Sequence, residues 1–160
     1  MRLDPFMILK KVADYQFGYG AGDALFPSDL ISKMEVKYSR KSGKIKYVFL
    51  DNKTYVTFRA SDGFIVPSLE AAANLIKNMR LFKYAVQVDN LFVPMIFDIR
   101  RVLVKHIKRV DPNIEAGSEV IVIDENNNIV GVGRAILSGE EMQLMKRGVA
   151  VKLRKINRER

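Results

Sequence analysis

The C-terminal half of the sequence consists of short apolar runs separated by turn-forming residues, and this pattern restricts the possible folds more than any other feature. Strands are predicted at 85–88, 102–105, 119–123, 129–137 and 149–154. A short helix over 90–97 is predicted to begin after Asp89, and Ser138 with Glu141 forms a capping-box pattern that predicts another. Short strands joined by tight turns are typical of a small β barrel, which the last strand would close.

The N-terminal half follows a different plan. Asp4 before Pro5 predicts the start of a helix over 5–15, and Ser68 predicts the cap of a second helix over 69–79. Between them, runs with strand character at 33–38, 44–50 and 54–59 predict an antiparallel meander. The segment 18–27 contains three glycines and a proline, which predicts an irregular loop. The chain is therefore predicted to be α+β, with one domain at 1–83 and a β-barrel domain at 84–160.

Composition excludes several classes of site and location. The chain has no cysteine and one histidine, so it cannot form a disulfide, a zinc ribbon or a histidine-rich metal cluster. We therefore expect no metal and no cofactor. The longest apolar stretch, 90–97, is far too short to cross a bilayer, and no secretory signal is apparent, so we expect a cytoplasmic protein without membrane contact.

Charge points to a partner. A net charge of +9 creates a field that concentrates polyanions, of which nucleic acid is the commonest. The alternative is that the cations solvate the surface. Both interpretations remain open for the C-terminal run and for a second basic group on the predicted meander. These groups are Lys152, Arg154, Lys155, Arg158 and Arg160, and Lys33, Lys37, Arg40, Lys41, Lys44 and Lys46.

Catalytic chemistry is not indicated. Acid–base or nucleophilic catalysis needs paired carboxylates, or a hydroxyl beside a base. The sequence offers only scattered candidates, among them Asp23, Asp62 and His106. We therefore predict that the chain is not an enzyme.

Several groups of residues occur together in a known family. They are Asp111-Pro112, Gly117 with Glu119-Val120, Val132-Gly133-Arg134-Ala135, the helix start at 138–142, and Gly148-Val149-Ala150-Val151. With them, residues 105–155 resemble the body of a PUA domain, the RNA-binding module named after pseudouridine synthases and archaeosine transglycosylase. The motifs DYQFGYGAGDALFP at 14–27 and FRASDGFIVPSLEAAANL at 58–75 resemble the domain that precedes the PUA module in archaeosine tRNA-guanine transglycosylase.

The resemblance implies an archaeal protein related to the RNA-binding end of that transglycosylase, without the barrel that exchanges the base. Its partner would be structured RNA, such as a tRNA or an rRNA stem, gripped mostly through backbone phosphates. The implied contact positions are Arg100, Arg101, Lys105, His106, Arg109, Lys152 and Arg154. Arginine and lysine suit this role because phosphate contacts supply affinity and register without reading sequence.

This chain departs from the family pattern in one loop. Many family members have a glycine in the loop before the second strand, whereas this chain has Ile99 and Arg100, so the approach of RNA is altered there. His106 also has a purely structural interpretation. The alternative function is a protein-interaction or targeting subunit of an RNA-modifying enzyme, with a catalytic partner protein, or a ribosome assembly factor.

Overall fold

The computed structural model describes residues 4–159, and the chain divides between Phe82 and Lys83 into two compact units. Each unit combines helices with a sheet, which confirms the predicted α+β class. Over residues 4–159, no helix is both long enough and apolar enough to cross a membrane.

Over residues 4–82, the N-terminal unit combines four helices with a four-stranded antiparallel sheet. The helices are α1 Pro5–Phe17, α2 Ala21–Leu25, α3 Ser28–Ile31 and α4 Leu69–Asn78. The strands are β1 Met34–Tyr38, β2 Ile45–Leu50, β3 Lys53–Phe58 and β4 Ile65–Pro67, and they pair in sequence order. The predicted meander is confirmed, and β4 extends it by one strand that the sequence pattern did not predict.

The glycine-rich segment is more regular than predicted, because it contains α2. α1 begins where predicted, with the Asp4 carboxylate accepting a hydrogen bond from the Phe6 amide at 3.0 Å. α2 then packs closely on α1: a Cβ atom at Gly22 would lie 2.5 Å from the Lys10 carbonyl oxygen. The Asp14 carboxylate accepts a hydrogen bond from the Gly22 amide at 2.7 Å. Glycine at this position therefore serves a close approach between helices, and not an irregular loop.

Two buried polar side chains fix the helices to the sheet. Gln16 donates to the Ile65 carbonyl at 2.8 Å and accepts from the Ile65 amide at 2.6 Å, so its amide group pairs with the backbone of β4. The Tyr55 hydroxyl donates to the Leu25 carbonyl at 2.5 Å. Burial raises the pKa of Tyr55 to about 12. These groups are satisfied inside the unit, as buried polar atoms generally must be.

Within the described residues 83–159, the C-terminal unit contains six strands and two short α-helices. The strands are β5 Ala85–Val88, β6 Arg101–Leu103, β7 Ile107–Val110, β8 Glu119–Ile123, β9 Ile129–Ala135 and β10 Val149–Ile156. The helices are α5 Val93–Ile99 and α6 Gly139–Leu144, with 3₁₀ turns at Asn90–Phe92 and Val104–His106. The predicted strand at 102–105 is wrong in its second half, because β6 ends at Leu103 and a turn leads into β7, which was not predicted.

The strands of this unit lie in the order β6-β10-β9-β8-β5-β7. All neighbours are antiparallel except β5 and β8, which are parallel. The apolar side of the sheet, with α5 and α6, encloses a core that includes Val86, Ile96, Val122, Met142 and Val151. β10 pairs with both β6 and β9, so the last strand joins the edge strand β6 to the rest of the sheet.

Candidate nucleic-acid interface

Three exposed cations form a row across three neighbouring strands of the C-terminal unit. Lys152 on β10 lies opposite Arg101 on β6 and opposite Arg134 on β9. Residues directly opposite in antiparallel strands project from the same face, with Cβ atoms about 4.5–5.5 Å apart. We call Arg101, Lys152 and Arg134 the cationic row. Such crowding of like charges weakens a sheet, so it indicates a surface suited to an anion.

A buried carboxylate lies at the end of the cationic row. Glu119, the first residue of β8, lies opposite Arg134, and its side chain is only 2% exposed. An Nη atom of Arg154 forms an ion pair with a Glu119 carboxylate oxygen, and the Arg154 side chain is 38% exposed. Arg154 is therefore held by an acid, while part of its side chain remains exposed.

Arg100 occupies a conformation that favours glycine. It ends α5 with φ 55° and ψ 34°, in the left-handed region. This region is costly for most residues with a side chain. The backbone here therefore keeps the shape that a glycine would adopt, while the exposed side chain adds a cation beside Arg101.

Two other predicted residues, Lys105 and Arg109, line a shallow depression of about 570 Å³ between β7 and α6. Lys108 and Lys146 also line it, so it is bordered by four cations. Lys108 forms an ion pair with Glu125. The hydrogen bond between them raises the pKa of Lys108 and lowers that of Glu125. Lys108 is thereby partly neutralised, which leaves Lys105, Arg109 and Lys146 as the stronger cationic positions.

His106 differs from the other predicted contacts because its side chain is fully buried. Its Nδ1 atom accepts a hydrogen bond from the Leu103 amide at 3.1 Å, and its ring lies 4.8 Å from that of Phe92. Its Nε2 atom is buried without a hydrogen-bond partner. Burial, with a smaller contribution from Lys105, lowers the pKa of His106. This geometry favours a structural role in the turn after β6 and gives no support to direct RNA contact.

Comparison with known families identifies both units. Residues 7–80 match the family described as Patch-forming domain C2 of tRNA-guanine transglycosylase, and residues 84–157 match the PUA domain. The chain pairs a C2 domain with a PUA domain. The predicted resemblance to the C-terminal domains of archaeosine tRNA-guanine transglycosylase is therefore confirmed.

Curated relatives of this pair of domains are archaeal and much longer. The chain is 35% identical, over 158 residues, to the tRNA-guanine(15) transglycosylase of Methanosphaera stadtmanae, covering 99% of this chain and 23% of the relative. It is 36% identical over 147 residues to the enzyme of the same name from Methanothermobacter thermautotrophicus, covering 92% and 22%. The C2 and PUA domains thus span less than a quarter of these relatives.

Solved structures share the arrangement of elements. A hypothetical protein from Pyrococcus horikoshii OT3 aligns with a TM-score of 0.72 and 25% identity, covering 97% of this chain and 91% of that one. A conserved PUA domain protein from Thermoplasma acidophilum aligns with a TM-score of 0.57 and 22% identity, covering 79% and 77%. The second likeness is one of fold alone.

The C2 domain carries the second basic group found in the sequence, and several of its members have local partners. Lys37 Nζ lies 2.8 Å from a Glu35 carboxylate oxygen. Lys46 Nζ lies 5.1 Å from the centre of the Tyr47 ring. Lys44 and Lys46 border a groove of about 1300 Å³ against α1. These contacts support the interpretation of a solvated face for part of the group.

The remaining catalytic candidates of the C2 domain are ion-paired. Asp23 lies 3.1 Å from Lys10 Nζ, and Asp62 lies 2.5 Å from an Arg59 nitrogen. Burial acts to raise the pKa of Asp62, but the hydrogen bonds from Arg59 and from the Phe64 amide, together with the charge of Arg59, outweigh it and the pKa is lowered. A carboxylate whose pKa is lowered is a poor general base, so Asp62 gains no support as a catalytic group.

The sequence did not single out three cations that the structure places beside the expected ones. Arg134 lies in the cationic row, and Lys108 and Lys146 border the depression between β7 and α6. The sequence does mark Arg134 as a surface position, because this residue interrupts the apolar run Val130–Ala135, which is otherwise buried. Its place beside Lys152 depends on strand register, which no local pattern in the sequence gives.

Proposed function

We propose that the PUA domain binds folded RNA through backbone phosphates and that the chain itself performs no chemistry. The cationic row is the observation that carries this proposal, because it places three cations on one face of a rigid sheet. A sheet fixes the backbone positions from which these cations project, so their spacing suits a phosphate backbone of fixed geometry. The row spans about 10 Å, since neighbouring strands lie 4.7–4.9 Å apart.

The proposed contact set keeps six of the residues expected from the sequence and adds one. It comprises Arg100, Arg101, Lys105, Arg109, Lys152, Arg154 and the added Arg134. His106 is left out because its side chain is buried, and it supports the turn that carries Lys105. Arg154 contributes through the part of its guanidinium that Glu119 does not engage.

Transfer RNA is the proposed RNA class. The relatives that contain this pair of domains are named tRNA-guanine(15) transglycosylase, and the chain is about 35% identical to them over nearly its whole length. In those relatives the pair is a small part of the protein. We therefore propose an accessory role in tRNA modification, in which the RNA held by this chain is acted on by a separate catalytic unit.

Equilibrium binding of the purified chain to a tRNA transcript, measured over a salt series, tests the proposal. Each phosphate contact contributes about 0.7 to 0.9 to the slope of log affinity against log salt concentration. The three members of the cationic row alone predict a slope of about −2 to −3, steeper with the neighbouring cations. Affinity that does not change with salt would contradict the phosphate mechanism.

The alternative role is that of a targeting subunit that contacts protein. RNA retention by the purified chain distinguishes this role from autonomous RNA binding. If the chain binds RNA by itself, purified protein will retain tRNA without any other component. If recognition depends on a partner protein, purified chain will show no binding above that of a neutral control protein, and the proposal of autonomous RNA binding fails.

A further inference from the structure

Glu119 is the one acid within the row of side chains that runs from β6 to β8. The register sets Arg101, Lys152, Arg134 and Glu119 opposite one another on four successive strands. Glu119 is buried, and an ionised carboxylate inside a protein is costly unless it is paired. A carboxylate in this place is therefore expected to hold cations in defined positions.

Arg154 reaches this carboxylate from a distance. β10 and β8 are separated by β9, so the Arg154 side chain bridges about 10 Å between the two strands. The register of β10 on β9 shifts between Leu153 and Lys155, and Arg154 is the residue at the shift. This irregularity releases Arg154 from direct opposition to a residue of β9 and leaves its side chain to pair with Glu119.

The pair is asymmetric. The Glu119 side chain is 2% exposed, whereas that of Arg154 is 38% exposed. A guanidinium carries N–H donors on more than one edge, so a carboxylate can hold one edge while another edge donates to a phosphate. The Arg134 side chain lies next to Gly117, since a Cβ atom added at Gly117 would be 3.6 Å from its Nη2 atom.

We infer that Glu119 is a positioning residue for RNA, which fixes the Arg154 guanidinium beside the cationic row so that the surface favours a rigid stem over a flexible strand. The inference rests on the proposed RNA-binding function. A rigid array of donors gains most from a phosphate backbone that is itself rigid, because neither partner then loses much conformational freedom on binding. A flexible strand adapts to mobile cations equally well and depends mainly on total charge.

The test compares two RNA probes, a stable hairpin and an oligouridylate of the same length, at one salt concentration. Glu119→Gln keeps the shape of the side chain and removes its charge. We expect the hairpin affinity to fall about five- to tenfold, the loss typical of one oriented charged hydrogen bond. Oligouridylate affinity should stay the same or rise, because the protein becomes more positive. The preference for the hairpin therefore falls.

Arg154→Lys provides a second test that leaves the buried acid in place. Lysine keeps the charge but lacks the planar fork of donors, so the hairpin preference should again fall while oligouridylate affinity is unchanged. Lys155→Arg is the matched control, since it changes the side chain next to Arg154 without touching Glu119, and its preference should equal that of the unmodified chain. Thermal unfolding of each variant establishes that it is folded.

The outcomes separate this inference from the proposed function. If the unmodified chain binds neither probe, the RNA-binding proposal itself fails. If the unmodified chain prefers the hairpin and both variants retain that preference, the inference is overturned and the function stands. The inference is also overturned if a folded variant loses affinity equally for the hairpin and for oligouridylate, because the loss of a merely structural ion pair would have that effect.

Discussion

Replacing Lys152 gives the sharpest test of the cationic row, because this residue is its middle member. Lys152→Gln leaves two positive charges in the row, and Lys152→Glu leaves a net charge of one by placing a carboxylate between Arg101 and Arg134. If each charge contributes one phosphate contact, the salt slope should shrink by about 0.7 to 0.9 for the glutamine variant and by about twice that for the glutamate variant.

Stability is expected to change in the opposite direction. Like charges directly opposite in a sheet destabilise it, so removing Lys152 should leave the melting temperature unchanged or slightly higher. The combination of weaker binding with undiminished stability distinguishes a lost contact from a damaged fold. Fluorescence anisotropy with a labelled tRNA transcript, over about 0.05 to 0.3 M salt, measures the slope.

Lys53 supplies the matched control. It is an exposed lysine that begins β3 of the C2 domain, outside the cationic row. Lys53→Gln and Lys53→Glu change the total charge of the chain by the same amounts as the Lys152 pair. The reasoning is refuted if the Lys53 variants reduce the slope as much as the Lys152 variants, since binding would then follow net charge and not the row.

Two further predictions concern stability. Arg100→Gly should raise the free energy of unfolding by about 0.5 to 1 kcal/mol, because glycine adopts the left-handed backbone without strain, and a urea titration showing destabilisation would contradict this. Burial lowers the pKa of His106 in the folded state, so below about pH 6.5 the unfolded chain takes up a proton more readily. Stability should therefore fall with pH below that value until the folded ring is also protonated, and His106→Gln should flatten this part of a pH series of melting temperatures.

The α+β class and several helix starts could be predicted from the sequence because each half of the chain has its own local pattern. Capping residues such as Asp4, Ser68 and Ser138 act within one turn of chain, and all three accept the hydrogen bonds expected of helix caps. Turn residues between short strands act over similarly short distances. Predictions that depend on such local chemistry therefore agree with the structure.

The errors occur where a distant contact decides the local structure. The 3₁₀ turn at Val104–His106 replaces the second half of a predicted strand, and the buried His106 ring accepts a backbone hydrogen bond there. α2 depends on the close approach of Gly22 to Lys10. The sequence around 104–106 looks like an ordinary strand, and the sequence of α2 looks like an ordinary loop.

The proposed site shows the same division. Arg101, Lys152 and Arg154 were expected from the family resemblance, whereas the row joins Arg101 and Lys152 to Arg134 through pairing between distant strands. The ion pair of Arg154 with Glu119 joins residues 35 positions apart. Register and ion pairing over such separations are properties of the folded sheet, which explains why composition and spacing could not reveal them.

The position of β10 between β6 and β9 has a consequence for newly synthesised chains. β6 and β9 leave the ribosome before β10. They take their places in the sheet only when β10, Val149–Ile156, inserts between them and pairs with both. The middle lysine of the surface arrives on that same segment. A nascent chain lacking this segment cannot form the cationic row, so the proposed RNA surface is incomplete until the whole PUA sheet has been translated.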